Sequence, residues 1–209
     1  MTARLSRKEQ QALTRGALLE SAMRVLADKG LHRASIDDIA ADAGFTKGAF
    51  YANFRSKEAL FLEMLDEHFA ERLAAIEEVT SSGEDIAEQA ARAGQDFSDA
   101  LRGDPAWCRL FLEFSSHAAR HEAFRIEFVA RTNAICDRIA GIYERRATEL
   151  GIVPVVPATD IARMTFAMAN GAAIEQLLDP ATPDDIFGTM LRLFFAGVLQ
   201  QSPPADATG

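Results

Sequence analysis

The chain has little of what an enzyme, a secreted protein or a membrane protein requires. Its 209 residues include two cysteines, Cys108 and Cys136, too few and too isolated for a disulfide framework or a CxxC metal site. No apolar run approaches the roughly 20 residues needed to cross a bilayer. The first segment, MTARLSRKEQQALTRG, is charged and lacks the apolar stretch of a secretory signal. These absences lead to the expectation of a cytoplasmic protein with reduced thiols and no membrane contact. A glycine-rich phosphate loop, a GxSxG elbow, an HExxH pair and a carboxylate–histidine set at di-metal spacing are all missing. The run FLEFSSHAARHE puts Ser, His and Glu close together, but nearness in sequence does not make a triad. A small all-α enzyme is therefore the weaker alternative, with neither catalytic residues nor cofactor expected.

Lysine is scarce too, and its distribution is informative. All four lysines, Lys8, Lys29, Lys47 and Lys57, lie in the first part of the chain. Residues 1–60 carry a net +3 and residues 61–209 a net −12, within a total of −9. Such asymmetry hints at one end that faces a nucleic acid. A protein that coats DNA non-specifically would need basic charge over its whole length.

What is present is helical periodicity almost throughout. In RGALLESAMRVLADKG the residues Ala17, Leu18, Ala22, Val25 and Leu26 recur at three- and four-residue intervals, and Gly30 is placed to end the helix. Ser35, with Asp38 three residues on, predicts a capping box for a short helix whose inner face is Ile36, Ile39 and Ala40. Gly44 ends it, Thr46 caps the next helix over 47–53, and Ser56 caps a longer one with Leu60, Met64, Leu65, Phe69 and Leu73 on one side. Further helices are predicted over 84–101, 105–119, 122–150, 158–178 and 183–199, with Pro105 and Pro183 in first-turn positions. GIVPVVPATD has no partner strand in sight and reads as a connector. The expected fold is all-α: a three-helix helix-turn-helix domain over 1–55, a larger helical domain over 56–200, and a frayed tail over 201–209.

The stretch Ser35–Phe54 has helix-turn-helix geometry. Ala40 allows close helix approach, Gly44 supplies the left-handed turn, and Ile39 and Phe50 pack both helices onto the first. The second helix of this motif lies in the major groove with its N-terminal residues at base edges. That nominates Thr46, Lys47, Gly48 and Ala49, with Tyr51 and Asn53 as further candidates. Asn53 reads adenine only if it faces the bases. Lys57, at a helix N-terminus, suits a phosphate.

The pieces ADKGLHRASIDDIAADAG, TKGAFYANF and SKEALF, in this order and spacing, resemble the DNA-binding domain of the TetR (tetracycline-repressor-like) transcriptional regulators over about the first third of the chain. The resemblance implies that Tyr51 and Lys57 contact phosphates and that Lys47 and its neighbours reach the major groove. The DNA-facing set is then Ser35, Thr46, Lys47, Gly48, Ala49, Tyr51, Asn53 and Lys57. Many members carry Tyr-His where this chain has Ala52-Asn53, which leaves position 53 open. The resemblance further implies a homodimer on a palindromic operator, acting as a repressor that a small molecule releases; a helix-turn-helix DNA-binding protein without a ligand switch is the alternative.

For that effector the stripe Trp107, Phe111, Phe114 and His117, together with Met168 on a later helix, offers an apolar lining. Such a stripe is more often plain core. His117 and His121 are four apart, as zinc ligands on one helix can be, but no third ligand is spaced to join them. No metal site is expected. DIARMTFAMANGAAIEQLL and DDIFGTMLRLFFAGVL are apolar on more than one face, which calls for a partner. Small residues from Ala167 to Ala173 permit close approach, and Leu191, Phe194, Phe195 and Val198 supply area. The resemblance pairs these two helices with their copies.

Overall fold

The computed structural model describes residues 6–83 and 85–198. Among them are helices and no strands, ordered α1 (Arg7–Arg33), α2 (Ile36–Asp42), α3 (Lys47–Tyr51), α4 (Lys57–Thr80), α5 (Ile86–Gly103), α6 (Pro105–Ala118), α7 (Glu122–Leu150), α8 (Ala158–Leu178) and α9 (Ile186–Val198). The all-α expectation holds, and α7 and α8 have the bounds that periodicity gave. The tail expected over 201–209 and the outermost residues of two predicted helices, Glu84 and Leu199, lie outside the described residues.

The chain folds as two compact units. One takes the residues up to His68 together with Ala106–Val129; the other takes Phe69–Pro105 and the residues from Ala130 onward.

In the first unit, α1 runs regularly to Gly30, whose φ of 74° and ψ of 167° break the helix. That backbone region is open essentially only to glycine. The break is held from α6: the Glu113 carboxylate accepts the Leu31 N–H at 2.6 Å. Ser35 and Asp38 form the expected capping box on α2. At its other end Gly44, with φ 75°, turns the chain. There Phe45 N–H bonds Ala40 C=O at 2.8 Å and Gly44 N–H bonds Ala41 C=O at 3.0 Å, the paired bonds of a Schellman stop. Ile39 and Phe50 are fully buried. The buried Ser21 hydroxyl donates to Ile39 C=O at 2.7 Å, tying α2 to α1. Thr46 caps α3 through Ala49 N–H, and Ser56 caps α4 through Ala59 N–H.

The second unit is organised by α5 against α9. Gly94 and Gly188 meet backbone to backbone: a Cβ on Gly94 would fall 2.2 Å from the Gly188 Cα. Leu191, Phe187, Ala90 and Ala172 pack around the crossing. The Ser98 hydroxyl donates to Asp184 C=O at the same junction. Pro183 falls in the turn before α9 rather than in its first turn, and its carbonyl accepts from the Gln176 amide. The 151–157 connector makes no ladder; its Val155 N–H bonds Val198 C=O.

Candidate nucleic-acid interface

The short helix α3 is presented by its surroundings. Phe50 anchors it in the core while Thr46, Lys47, Gly48 and Tyr51 point outward, Tyr51 with 53% of its surface exposed. Nothing but the Thr46 hydroxyl comes within 4 Å of a Cβ placed on Gly48, so the α3 backbone there is open to close approach. Ala49 is half-buried beneath. The Tyr51 ring stands edge-on to Phe50, 5.7 Å between centroids.

Three of the nominated residues are turned to internal work. Ser35 is half-buried and spends its hydroxyl on Asp38. Asn53 donates its amide to Ala49 C=O at 2.8 Å, and its Oδ1 is buried without a partner. In this conformation it offers no face for a bidentate adenine contact. Lys57 donates to Leu31 C=O at 2.8 Å and Ala34 C=O at 2.5 Å. Its ammonium staples the start of α4 to the end of α1, and a phosphate could reach only what those two bonds leave over.

Sequence reading missed Arg15. Its guanidinium lies 4.4 Å over the Phe54 ring, donates to Asn53 C=O at 2.7 Å and pairs with Glu63. It clamps the C-terminal end of α3 to α1 and α4, and the only signal in the sequence was an arginine on the polar face of an amphipathic helix. Asp37 was missed too; its carboxylate holds Lys47 Nζ at 2.8 Å, both groups exposed. Asp38, by contrast, is held far below the usual carboxylate range by its bonds from Lys29 and Ser35.

The aromatic stripe on α6 is gathered in the same unit. Phe61 of α4 stacks on Phe114 at 3.5 Å and on Trp107 at 5.8 Å between centroids. His68 stacks on Trp107 as well, at 4.2 Å. Phe111 meets Phe128 of α7, and His117 meets Phe124. Met168 belongs to the second unit; half-buried on α8, it packs on the core of Ala90, Ala172, Phe187 and Leu191. His117 and His121 stack at 3.8 Å. Among the described residues no group of three His, Cys, Asp or Glu side chains is placed to hold a metal ion. Cys108 and Cys136 are free and buried, in separate units, and burial pushes both thiols up.

A short helix held out by one buried phenylalanine, open along its backbone and started by a capped turn, is the reading head of a helix-turn-helix DNA-binding protein. Comparison with known proteins agrees. The sequence model described as "Bacterial regulatory proteins, tetR family" matches residues 18–64. The HTH-type transcriptional activator FasR of Mycolicibacterium smegmatis is 30% identical over 165 residues, 77% of this chain and 74% of that protein. Among solved structures, GusR of Salmonella enterica superposes with a TM-score of 0.74 at 22% identity, over 90% of this chain and 96% of that one. FadR of Bacillus subtilis, in complex with stearoyl-CoA, gives a TM-score of 0.69 at 17% identity, over 88% and 97%. The chain belongs to the TetR family of bacterial transcriptional regulators. Among its described residues no helix is long and apolar enough to cross a membrane.

Proposed function

We propose that the protein is a cytoplasmic, homodimeric repressor, without catalytic activity, that binds a palindromic operator and is released from it by an apolar small molecule. Residues 1–55 bind DNA; residues 56–200 sense and dimerise. The observation that carries the switch lies inside the first unit. Phe61 of α4 stacks on Trp107 and Phe114 of α6, and one turn earlier Lys57 grips the carbonyls just ahead of α2. A molecule that wedges between α4 and α6 near Trp107, Phe111, Phe114 and His117 displaces α4, and Lys57 carries the displacement to the reading head. Only a ligand with unequal affinity for the two arrangements can do this.

The stearoyl-CoA in the Bacillus subtilis FadR complex makes long acyl thioesters the first class of effector to try. Trp107 is the sole tryptophan, so its fluorescence reports occupancy directly. Titration of stearoyl-CoA should shift that emission and lower affinity for DNA from upstream of the protein's own gene. By linkage the DNA must lower ligand affinity by the same factor. A ligand that binds at Trp107 and leaves DNA affinity unchanged would end the release reading. The Mycolicibacterium smegmatis relative is named an activator, so the sign of regulation is decided by a reporter fused to the bound promoter: deletion of the protein raises expression for a repressor and lowers it for an activator.

A further inference from the structure

The reading head carries a carboxylate where a DNA-binding surface would be expected to shed negative charge. Asp37 sits in the first turn of α2, and its Oδ2 meets Lys47 Nζ of α3 at 2.8 Å. Both side chains stay more than half exposed, 63% for Asp37 and 53% for Lys47, so the pair is open to a third party. The other two carboxylates of α2 are committed elsewhere, Asp38 to Ser35 and Lys29 and Asp42 to Arg24. Most cations nearby are committed as well: Arg15 to Glu63, Arg55 to Glu127, Lys57 to two carbonyls. The first-sixty net positive charge is thus largely spent within the fold, and Lys47 with Asp37 is the ion pair standing at the N-terminal end of α3, where base edges are read.

We infer that Asp37 is a specificity-determining residue, and that the Asp37–Lys47 pair reads one G·C base pair in each half-site. The inference rests on the helix-turn-helix reading and deepens it. In a G·C pair guanine O6 and cytosine N4 are hydrogen-bonded to each other, so the major groove shows an acceptor and a donor about 3 Å apart. Lys47 Nζ and Asp37 Oδ2 are a donor and an acceptor at that same separation. The ammonium takes guanine O6 and N7, and the carboxylate accepts from cytosine N4, each keeping its hold on the other. An A·T pair also sets a donor beside an acceptor there, but adenine carries the N6 donor next to N7 and thymine O4 stands alone, so the ammonium loses its second acceptor. Against the phosphate backbone the carboxylate is repelled, and while it holds Lys47 it keeps that ammonium from serving as a sequence-blind phosphate contact. Asp37 therefore lowers affinity for random DNA and leaves discrimination.

The test is selection from a random-sequence duplex library with the full-length parent, Asp37→Ala and Asp37→Asn, with thermal unfolding of all three followed in parallel. Asp37 is exposed, so the variants should fold. The parent should enrich a palindrome with a G·C pair at one position per half-site. Both variants should relax that position alone, losing roughly five- to a hundredfold of discrimination there. They should also bind random duplex more tightly than the parent, with the slope of log K against log salt steeper by about one per half-site as Lys47 turns to phosphate. A purely structural role for Asp37 would lower affinity for all sequences together and leave the consensus intact. An unchanged consensus from Asp37→Ala and Asp37→Asn, with a parent that selects well, overturns the inference and leaves the DNA-binding reading standing. A parent that enriches no sequence overturns both.

Discussion

Glu113 of α6 holds the backbone N–H of Leu31 at 2.6 Å, 82 residues away in the sequence. The bond falls at the one place where α1 is broken, and the Glu113 carboxyl oxygens would lie 3.2 Å from a Cβ on Gly30. Leu31 is buried, so without the carboxylate its N–H loses a charged acceptor and gains no water. An unsatisfied buried donor costs about 1–3 kcal/mol. Glu113→Ala should destabilise the protein by that amount in chemical denaturation, and Glu113→Gln, which keeps an acceptor, by less. Since the bond joins α6 to the helix that carries α2, Glu113→Ala should also weaken operator binding. Equal stability of Glu113→Ala and the parent would show that the bond contributes nothing.

Lys57 leads to a different expectation from the one its sequence position suggests. With its ammonium on Leu31 C=O and Ala34 C=O, Lys57→Met, which keeps the aliphatic stem, should cost roughly 1.5–3 kcal/mol of stability for the loss of charge-assisted bonds. If the third N–H also serves a phosphate, the salt slope of DNA binding falls by about one per half-site without a change in preferred sequence. Full stability with a reduced slope would make Lys57 a phosphate ligand alone; both changes together are the expected result.

The distinction between what could and could not be read in advance follows from distance along the chain. The caps of α2, α3 and α4 join residues three apart, Ser35 with Asp38, Thr46 with Ala49 and Ser56 with Ala59, and local spacing dictates them. The Gly44 turn and the bounds of α7 and α8 are local in the same sense. Lys57 was placed at a helix N-terminus facing anions because its partners, 23 and 26 residues back, exist only once Gly30 has broken α1 and bent carbonyls toward it. Asn53 is the local exception: its amide folds back on Ala49 C=O only four residues away, a backbone bond that side-chain spacing does not announce. The Gly94–Gly188 contact needs two helices that sequence spacing cannot bring together. Leu191 carried the same apolar signal as its neighbours, and only the fold shows it buried against α5 and α8 in its own chain.

His117 supplies a pH dependence. Burial, then the neighbouring His121, hold its imidazole below the ordinary histidine range, with Glu58 at 3.8 Å pulling the other way and His32 and Lys57 adding to the depression. The unfolded chain takes up this proton more readily than the folded one. The stability contributed by neutral His117 is therefore complete above the ordinary value of about 6.5 and is lost as pH falls from there through the lower folded value. Melting temperature should fall with acidification in that window, and His117→Gln should flatten the fall. A profile of unchanged slope in His117→Gln would assign the acid sensitivity to other groups.

The last expectation separates a folding residue from an assembly residue on one helix. On α9, Leu191 is buried within its own chain, 4% exposed, while Leu193 is 72% exposed. Met164 and Leu178 on α8 and Met190 on α9 are exposed as well, an apolar face on the two helices expected to pair with their copies. Gly171 and Gly197, with nothing within 4 Å of a built Cβ, leave room for close approach. A glutamate at 191 would put an uncompensated charge into the α5–α9 core at a cost of several kcal/mol, and Leu191→Glu should unfold or aggregate. A glutamate at 193 is solvated in the monomer, where surface changes usually stay within about 0.5 kcal/mol, but is desolvated if two copies pair through this face. Leu193→Glu should keep the helical circular dichroism of the parent, halve the mass seen by light scattering, and lose operator binding, because one reading head cannot hold two half-sites. If Leu193→Glu keeps the parent's dimer mass, the copies pair through another surface. If the parent itself is monomeric, the palindromic operator goes with the dimer.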